Sequence, residues 1–288
     1  DYTAHLASQY GRDRLSVAPT GFAQWIELES RAMERAAHVC TRSTFVRDSI
    51  VNSYGIPAEK VTVIGGGLNM APLPTPALGS PSHERTVLFI GKDFHRKGGD
   101  LLLLAFAAAR EAVPTARLKV VADGPIPKHL PLAGVELIQP TWDRERIAEL
   151  YRGADIFVLP SRLETWGDVL LEAMAYELPC IGVADSPMTE IINDRETGLI
   201  VKPNDIDDLA RAMIEMLRDD DWRRSLGKRG RQRLEAHFTW DRVVERLAPI
   251  LVTLGGGDSP APERVRAVAD RGGTPALDRA GGDDLGTA

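Results

Sequence analysis

Two glutamates, Glu164 and Glu172, stand with seven residues between them in the segment SRLETWGDVLLEAMA, residues 161–175. The first lies just before a helix and the second two turns inside it, with Val169, Leu170, Ala173 and Met174 supplying an apolar packing face. The run DIFVL, Asp155 to Leu159, reads as a buried strand that delivers this turn to the carboxyl end of a parallel sheet, where open α/β sheets bind ligands. The free amides of Trp166, Gly167, Asp168 and Val169 would face that crevice. Unpaired N–H groups and the helix dipole favour an anion such as a diphosphate there. The Glu172 carboxylate can accept two hydroxyl hydrogen bonds, the pattern a ribose diol offers. A bare pair of glutamates at this spacing is more often an ordinary amphipathic surface. The strand before it and the proline after it favour the ligand site.

A second group lies in IGKDFHRKGGD, residues 90–100. A strand ends at Gly91, which lets backbone approach a ligand closely, and a basic loop follows before a helix. Lys92 and Lys97 are point charges suited to phosphate. Alone this is a solvated basic loop, and His95 within it is more often solvated than catalytic. Its position at the same end of the sheet as Glu164 makes the two groups one candidate site. Asp123-Gly124-Pro125 ends the next strand, and turn chemistry explains it fully. The sequence has no Cys/His cluster at metal-ligand spacing, no phosphate-binding G-x-x-x-x-G-K-[ST] and no strand followed by G-x-G-x-x-G. Gly65-Gly66-Gly67 opens a segment rich in Gly, Pro and Ser and reads as the start of an interdomain linker through Glu84.

The elements that must position these residues alternate in type. Strands are expected at 60–64, 86–91, 117–122, 135–138, 155–159, 179–184 and 198–201, with helices at 99–113, 144–152, 166–177 and 205–217. That alternation implies βαβ units and a parallel sheet. Residues 22–54 read as helix broken near Cys40 to Ser43, with Ser43 as the N-cap of the second piece. Helices are also expected at 222–237 and 240–254. From Gly255 onward glycine runs, prolines and mixed charge read as a disordered tail.

Bulk properties exclude several classes. The chain has 288 residues, is 43% hydrophobic and carries a net charge of −6 with a pI near 5.6. It has no bulk attraction for nucleic acid or anionic lipid. Cys40 and Cys180 are its two cysteines, too few for a disulfide scaffold, so a reducing cytoplasm is the expected compartment. The longest apolar run, Leu101 to Ala109, falls well short of the roughly 20 residues needed to span a bilayer.

Taken together the blocks resemble the retaining GT-B glycosyltransferases of family 4, the glycosyl transferases group 1, from about Glu29 to about Val252. The matching pieces are Ser43 to Arg47, Tyr54 to Val61, Gly91-Lys92 with Lys97-Gly98, Ala154 to Ser161, Glu164 to Ala175 and Thr197 to Val201. Departures are Lys92 where the family usually has Arg, Thr165-Trp166 for Gly-Phe, Glu177 for Gly, and Ser186 to Glu190 for a Gly-Gly segment before a Glu. The resemblance implies an α/β architecture of two Rossmann-like domains with parallel sheets, the N-terminal one incomplete here. Residues 1–75 would be the end of the acceptor domain and the linker, 85–238 the nucleotide-sugar domain, 239–254 a helix crossing back, and 255–288 the tail.

The same resemblance implies transfer of a sugar from a nucleotide-diphosphate sugar with retention of configuration and without a metal or other cofactor. Glu164 and Lys97 would be the catalytic groups. Donor-binding residues would be Gly91, Lys92, Lys97, Asp123, Ile138, Glu164, Thr165, Trp166, Gly167, Asp168, Val169 and Glu172, with the base against the loop after Ile138. The partners would be the nucleotide sugar and an acceptor, whether glycan, lipid or small molecule. No nucleic acid is implied, and membrane contact would be at most peripheral. A chain short of its acceptor domain is expected to bind nucleotide, to transfer no sugar alone, and to be poorly ordered over residues 1–64. The rival readings are a nucleotide-sugar-binding module without transfer and a nucleotide-sugar epimerase.

Overall fold

The computed structural model describes residues 19–76 and 84–256. Its larger sheet has six parallel strands: β3 (Arg85–Asp93), β4 (Ala116–Asp123), β5 (Val135–Ile138), β6 (Ile156–Val158), β7 (Cys180–Val183) and β8 (Gly198–Val201). They lie in the order β5-β4-β3-β6-β7-β8. The chain winds outward from β3 in one direction and from β6 in the other, so the topological switch point falls between these neighbours. The central strands are continuous apolar runs because both faces are covered: Val87, Leu88, Phe89, Ile156, Phe157 and Val158 are all at 0% exposure.

Helices α3 (Gly99–Ala112), α4 (Arg144–Arg152), α5 (Asp168–Ala175), α7 (Ile206–Arg218) and α8 (Asp220–His237) cover the sheet. A one-turn helix, α6 (Met188–Ile191), follows β7 and was not foreseen. The amphipathic α7 buries Leu209, Met213 and Met216 and packs on α3. Asp143, Asp205 and Asp219 cap the starts of α4, α7 and α8 by accepting amide hydrogens, as short acidic side chains do. The Cys180 thiol lies in this core, its pKa pushed up by burial, and both cysteines are free.

Ahead of this unit lie α1 (Pro19–Arg35), β1 (Val39–Thr41), α2 (Thr44–Tyr54) and β2 (Val61–Val63). The expected break at Cys40–Ser43 is the strand β1, which pairs in parallel with β2. Ser43 caps α2 by accepting from the Val46 amide. The expectation of poor order over residues 1–64 lies for residues 1–18 outside the described residues.

Three other expectations are corrected. The helix expected from Trp166 starts at Asp168, because Gly167 takes φ 117° just before it. It ends at Ala175 rather than Glu177, whose φ of 59° is left-handed. The glycine-rich start of the linker is buried. Helix α9 (Trp240–Gly255) lies against it, with Arg246 Nη1 donating to Ile64 O at 3.1 Å and Trp240 Nε1 to Asn69 Oδ1 at 2.9 Å. An added Cβ on Gly65 would meet Arg246, and one on Gly67 would meet Trp240. Gly255 is the last residue of α9, and residues 257–288 of the expected tail lie outside the described residues. Among the described residues no helix is long and apolar enough to cross a membrane.

Candidate functional site

The switch point brings the loop after β3 against the turn after β6. Apart from the contact between Lys97 and Glu164, five hydrogen bonds join them. Arg162 N donates to Arg96 O at 2.9 Å, and Arg96 Nη1 donates to Leu163 O at 3.2 Å. Arg162 Nη1 donates to His95 O at 2.6 Å, and the guanidinium forks onto both Asp100 oxygens at 2.7 and 2.8 Å. His95 Nδ1 lies 3.2 Å from the same carboxylate. Burial pushes the Asp100 pKa up, but the Arg162 guanidinium, with His95 and the Leu101 amide, outweighs it and holds the group below its ordinary range. Gly98, at φ 76°, sits where an added Cβ would collide with the Pro160 carbonyl oxygen. Glycine is therefore needed for the two loops to approach.

This frame fixes the pair that the sequence singled out. Lys97 Nζ donates to Glu164 Oε2, with the side chains 14% and 9% exposed. Glu164 Oε1 accepts from the Thr165 amide at 3.2 Å. Gly91 lies against the stem of Lys97, where a Cβ would clash with its Cβ and Cγ. The Ser161 hydroxyl, buried beside this turn, makes no hydrogen bond. Lys97, Glu164, Thr165 and Gly91 thus share one place.

Glu172 is one turn further along α5, and the Tyr151 hydroxyl donates to its Oε2 at 2.7 Å. Burial raises the Glu172 pKa, the Tyr151 hydrogen bond opposes that, and Asp168 adds to the rise. Tyr151 itself is fully buried and stacked on Tyr176 at 5.2 Å. It is a rigid post that orients the carboxylate.

Other expected donor residues are placed differently. The Asp168 carboxylate, at the first residue of α5, is held by Arg42 through Nη1 at 3.0 Å and through Nη2. The Trp166 indole is 4% exposed and packs edge-on against Phe238 at 5.9 Å, with Arg42 over its ring. Only the backbone of Trp166, Gly167 and Val169 is left to face a ligand. Ile138 is buried in the core, so contact there would come from the loop beyond it. Asp123 accepts from its own neighbour Gly124 at 2.9 Å. Lys92, exposed, lies 3.9 Å over the ring of Trp142.

The β1–α2 segment touches this turn as well. Ser43 Oγ donates to Thr165 O at 3.0 Å. Glu190, at the end of the segment that departs from the family's Gly-Gly, accepts from the Thr44 and Phe45 amides at 3.1 and 3.3 Å. Arg42, Trp142, Tyr151 and Arg162 were missed from sequence. Arg162 and Asp100 stood inside the two quoted blocks with opposite charge, a signal that could have found them. Nothing local pointed to Arg42. Among the described residues no group of three or more His, Cys, Asp or Glu side chains could hold a metal ion.

A six-stranded parallel sheet whose switch point joins Lys97 and Glu164 beside the start of a helix is the architecture of a Rossmann-like half of the GT-B fold. The chain belongs to the family of glycosyl transferases group 1, whose model matches residues 75–233. It is 26% identical over 245 residues to a D-inositol 3-phosphate glycosyltransferase of Thermobispora bispora, covering 77% of this chain and 57% of that one. Sucrose-phosphate synthase of Thermosynechococcus elongatus superposes with a TM-score of 0.73 at 26% identity, over 89% of this chain and 66% of that one. The Anabaena protein HepE in complex with UDP-glucose gives 0.68 at 18%, over 82% and 70%, which shows the fold. The chain spans less than two thirds of the length of the curated relatives it matches.

Proposed function

We propose that this chain carries the donor site of a glycosyltransferase that moves a sugar from a nucleotide-diphosphate sugar to a glycan, lipid or small-molecule acceptor with retention of configuration. The observation that carries it is the joining of Lys97, Glu164 and the start of α5 at the switch point. Lys97 and Lys92 take the diphosphate. When donor arrives, Lys97 turns from Glu164 toward phosphate and frees that carboxylate for the transferred sugar. The amides of Trp166, Gly167 and Val169 add fixed dipoles. As the glycosidic bond breaks, negative charge grows on the leaving diphosphate, and positive groups already in place stabilise it most. These groups serve where other transferases use a metal, so no metal or other cofactor is invoked. Glu172, oriented by Tyr151, receives the ribose hydroxyls. The HepE complex and the resemblance to nucleotide-sugar enzymes support a nucleotide donor. The acidic chain with two free cysteines fits a cytoplasmic site of action.

Calorimetry with UDP, GDP and ADP tests the reading. One of them should bind the wild-type chain, and Glu172→Ala should weaken it by the loss of a charged hydrogen bond, about 1.5–3 kcal/mol. Unchanged affinity in Glu172→Ala, or no binding of any nucleotide, would overturn it.

A further inference from the structure

We propose that Arg42 is a positioning residue for the donor: by covering the charge of Asp168 it keeps the start of α5 open to the diphosphate. The inference rests on the proposed donor site and adds to it a residue from outside the six-stranded sheet. Asp168 is the first residue of α5 and the acidic residue of its first turn. A carboxylate there interacts favourably with the helix dipole, and so competes with an anionic ligand for the same positive end. Its charge is felt further along the helix as well, where it adds to the rise of the Glu172 pKa. A helix that begins with a bare aspartate is a poor seat for a diphosphate unless another group offsets the charge.

Arg42 is that group. It follows β1 directly, and its two terminal nitrogens fork onto Asp168, Nη1 to Oδ2 at 3.0 Å and Nη2 to Oδ1. A planar guanidinium matches a carboxylate in this way. Its surroundings hold it there. The guanidinium carbon lies 5.4 Å from the ring centroid of Trp166, an indole that is itself buried. Ser43, the next residue, donates Oγ to Thr165 O at 3.0 Å. Gly66 leaves the room the arm needs, since a Cβ on it would fall 2.6 Å from Arg42 Nε. That buried Nε makes no hydrogen bond, so among the described residues Asp168 is the hydrogen-bond partner of the guanidinium. The two side chains are 40% and 48% exposed, and an ion pair so placed in water adds little to stability. Its larger consequence is local charge. With the pair formed, the first turn of α5 presents no net side-chain charge to a ligand. With Arg42 gone it presents one negative charge.

Calorimetry on the full chain with UDP, GDP and ADP, the matching nucleosides and inorganic pyrophosphate tests this in wild type, Arg42→Ala, Asp168→Asn and the double variant. Charge counting sets the order of affinities. Arg42→Ala, which leaves Asp168 bare, should lose roughly tenfold in affinity for the best nucleoside diphosphate and for pyrophosphate, the effect of one uncovered charge close to a dianion in a largely aqueous setting. Asp168→Asn, which leaves Arg42 uncompensated, should gain affinity for both. The double variant, neutral again, should return close to wild type. Nucleoside affinity should be the same in all four proteins. A residue that only braced the turn would act otherwise: Arg42→Ala would weaken nucleoside and diphosphate alike, and adding Asp168→Asn would restore neither. Either of those results, or an unchanged diphosphate affinity in Arg42→Ala, would overturn this inference and leave the proposed function standing. If the wild-type chain binds no nucleotide, the proposed function falls and this inference with it.

Discussion

Replacing Arg162 by alanine removes the three side-chain hydrogen bonds it contributes to the join between the two loops, without touching Lys97 or Glu164. The guanidinium makes two charge-assisted bonds to Asp100, at 2.7 and 2.8 Å, and a third to the His95 carbonyl at 2.6 Å. Hydrogen bonds to charged groups contribute about 1.5–3 kcal/mol, and breaking a fully buried ion pair costs about 3–5 kcal/mol. The side chains are 12% and 21% exposed, so water rehydrates part of Asp100, and the expected cost is about 2–3 kcal/mol. The penalty should depend on pH. Asp100 has a folded pKa below the ordinary 3.8, so its stabilisation is fully present above that value and is lost as pH falls through the folded value. Below it only the His95 carbonyl bond separates variant from wild type, about 1 kcal/mol. Urea unfolding near neutrality and again well below 3.8, the ordinary value, measures both. Nucleoside diphosphate affinity should fall at neutral pH, because the Lys97 loop is held less tightly against the Glu164 turn. A cost under about 0.5 kcal/mol at neutral pH, the range of an ordinary surface substitution, or a cost that does not shrink in acid, refutes the reasoning.

Tyr151→Phe removes the hydrogen bond that opposes the burial-driven rise of the Glu172 pKa. Nucleoside affinity should then decline at a higher pH than in wild type as solutions are acidified, and superimposable pH profiles would contradict this. Lys97→Ala should cost more affinity for a nucleoside diphosphate than for the nucleoside, and equal losses in calorimetry would reject its phosphate role. Gly98→Ala should lower stability by more than about 1 kcal/mol, since alanine at φ 76° pays the left-handed penalty and meets the Pro160 carbonyl. An unchanged urea midpoint would show that the loops have slack. Donor binding should persist in EDTA, and affinity that collapses on chelation and returns with magnesium would refute a metal-free site.

The parallel strands were legible because burial on both faces writes a continuous apolar run, as in Val87–Phe89 and Ile156–Val158. Strand β1 was not: three residues carry no period, and β1 forms only by pairing with β2 some 22 positions later. The candidate site was legible as residue types in order, with Lys97, Glu164 and Glu172 all at the switch point or on the helix leaving it. Their partners were not legible. Whether Lys97 rests on Glu164, or Arg42 reaches Asp168 across 126 positions, depends on how distant strands come together rather than on any local pattern. Composition misread Gly65–Gly67 for a related reason. Glycine marks both loose chain and tight approach, and only the neighbours distinguish them.

Those three glycines bear on how the molecule can be cut and rejoined. A protein engineer choosing a site for a split reporter, a domain insertion or a longer spacer would pick a run of glycines followed by prolines. Here that run is closely packed on every side that a side chain could take. At Gly66 a single methyl group would fall 2.8 Å from Trp166 Nε1 and against the Arg42 guanidinium, and its neighbours are filled by Arg246 and Trp240. Added residues would have nowhere to go without prising the indole and guanidinium off the turn that carries Glu164. Tolerance for insertion should instead begin beyond Asn69, where exposed Ala71, Pro72 and Leu73 open the segment to solvent.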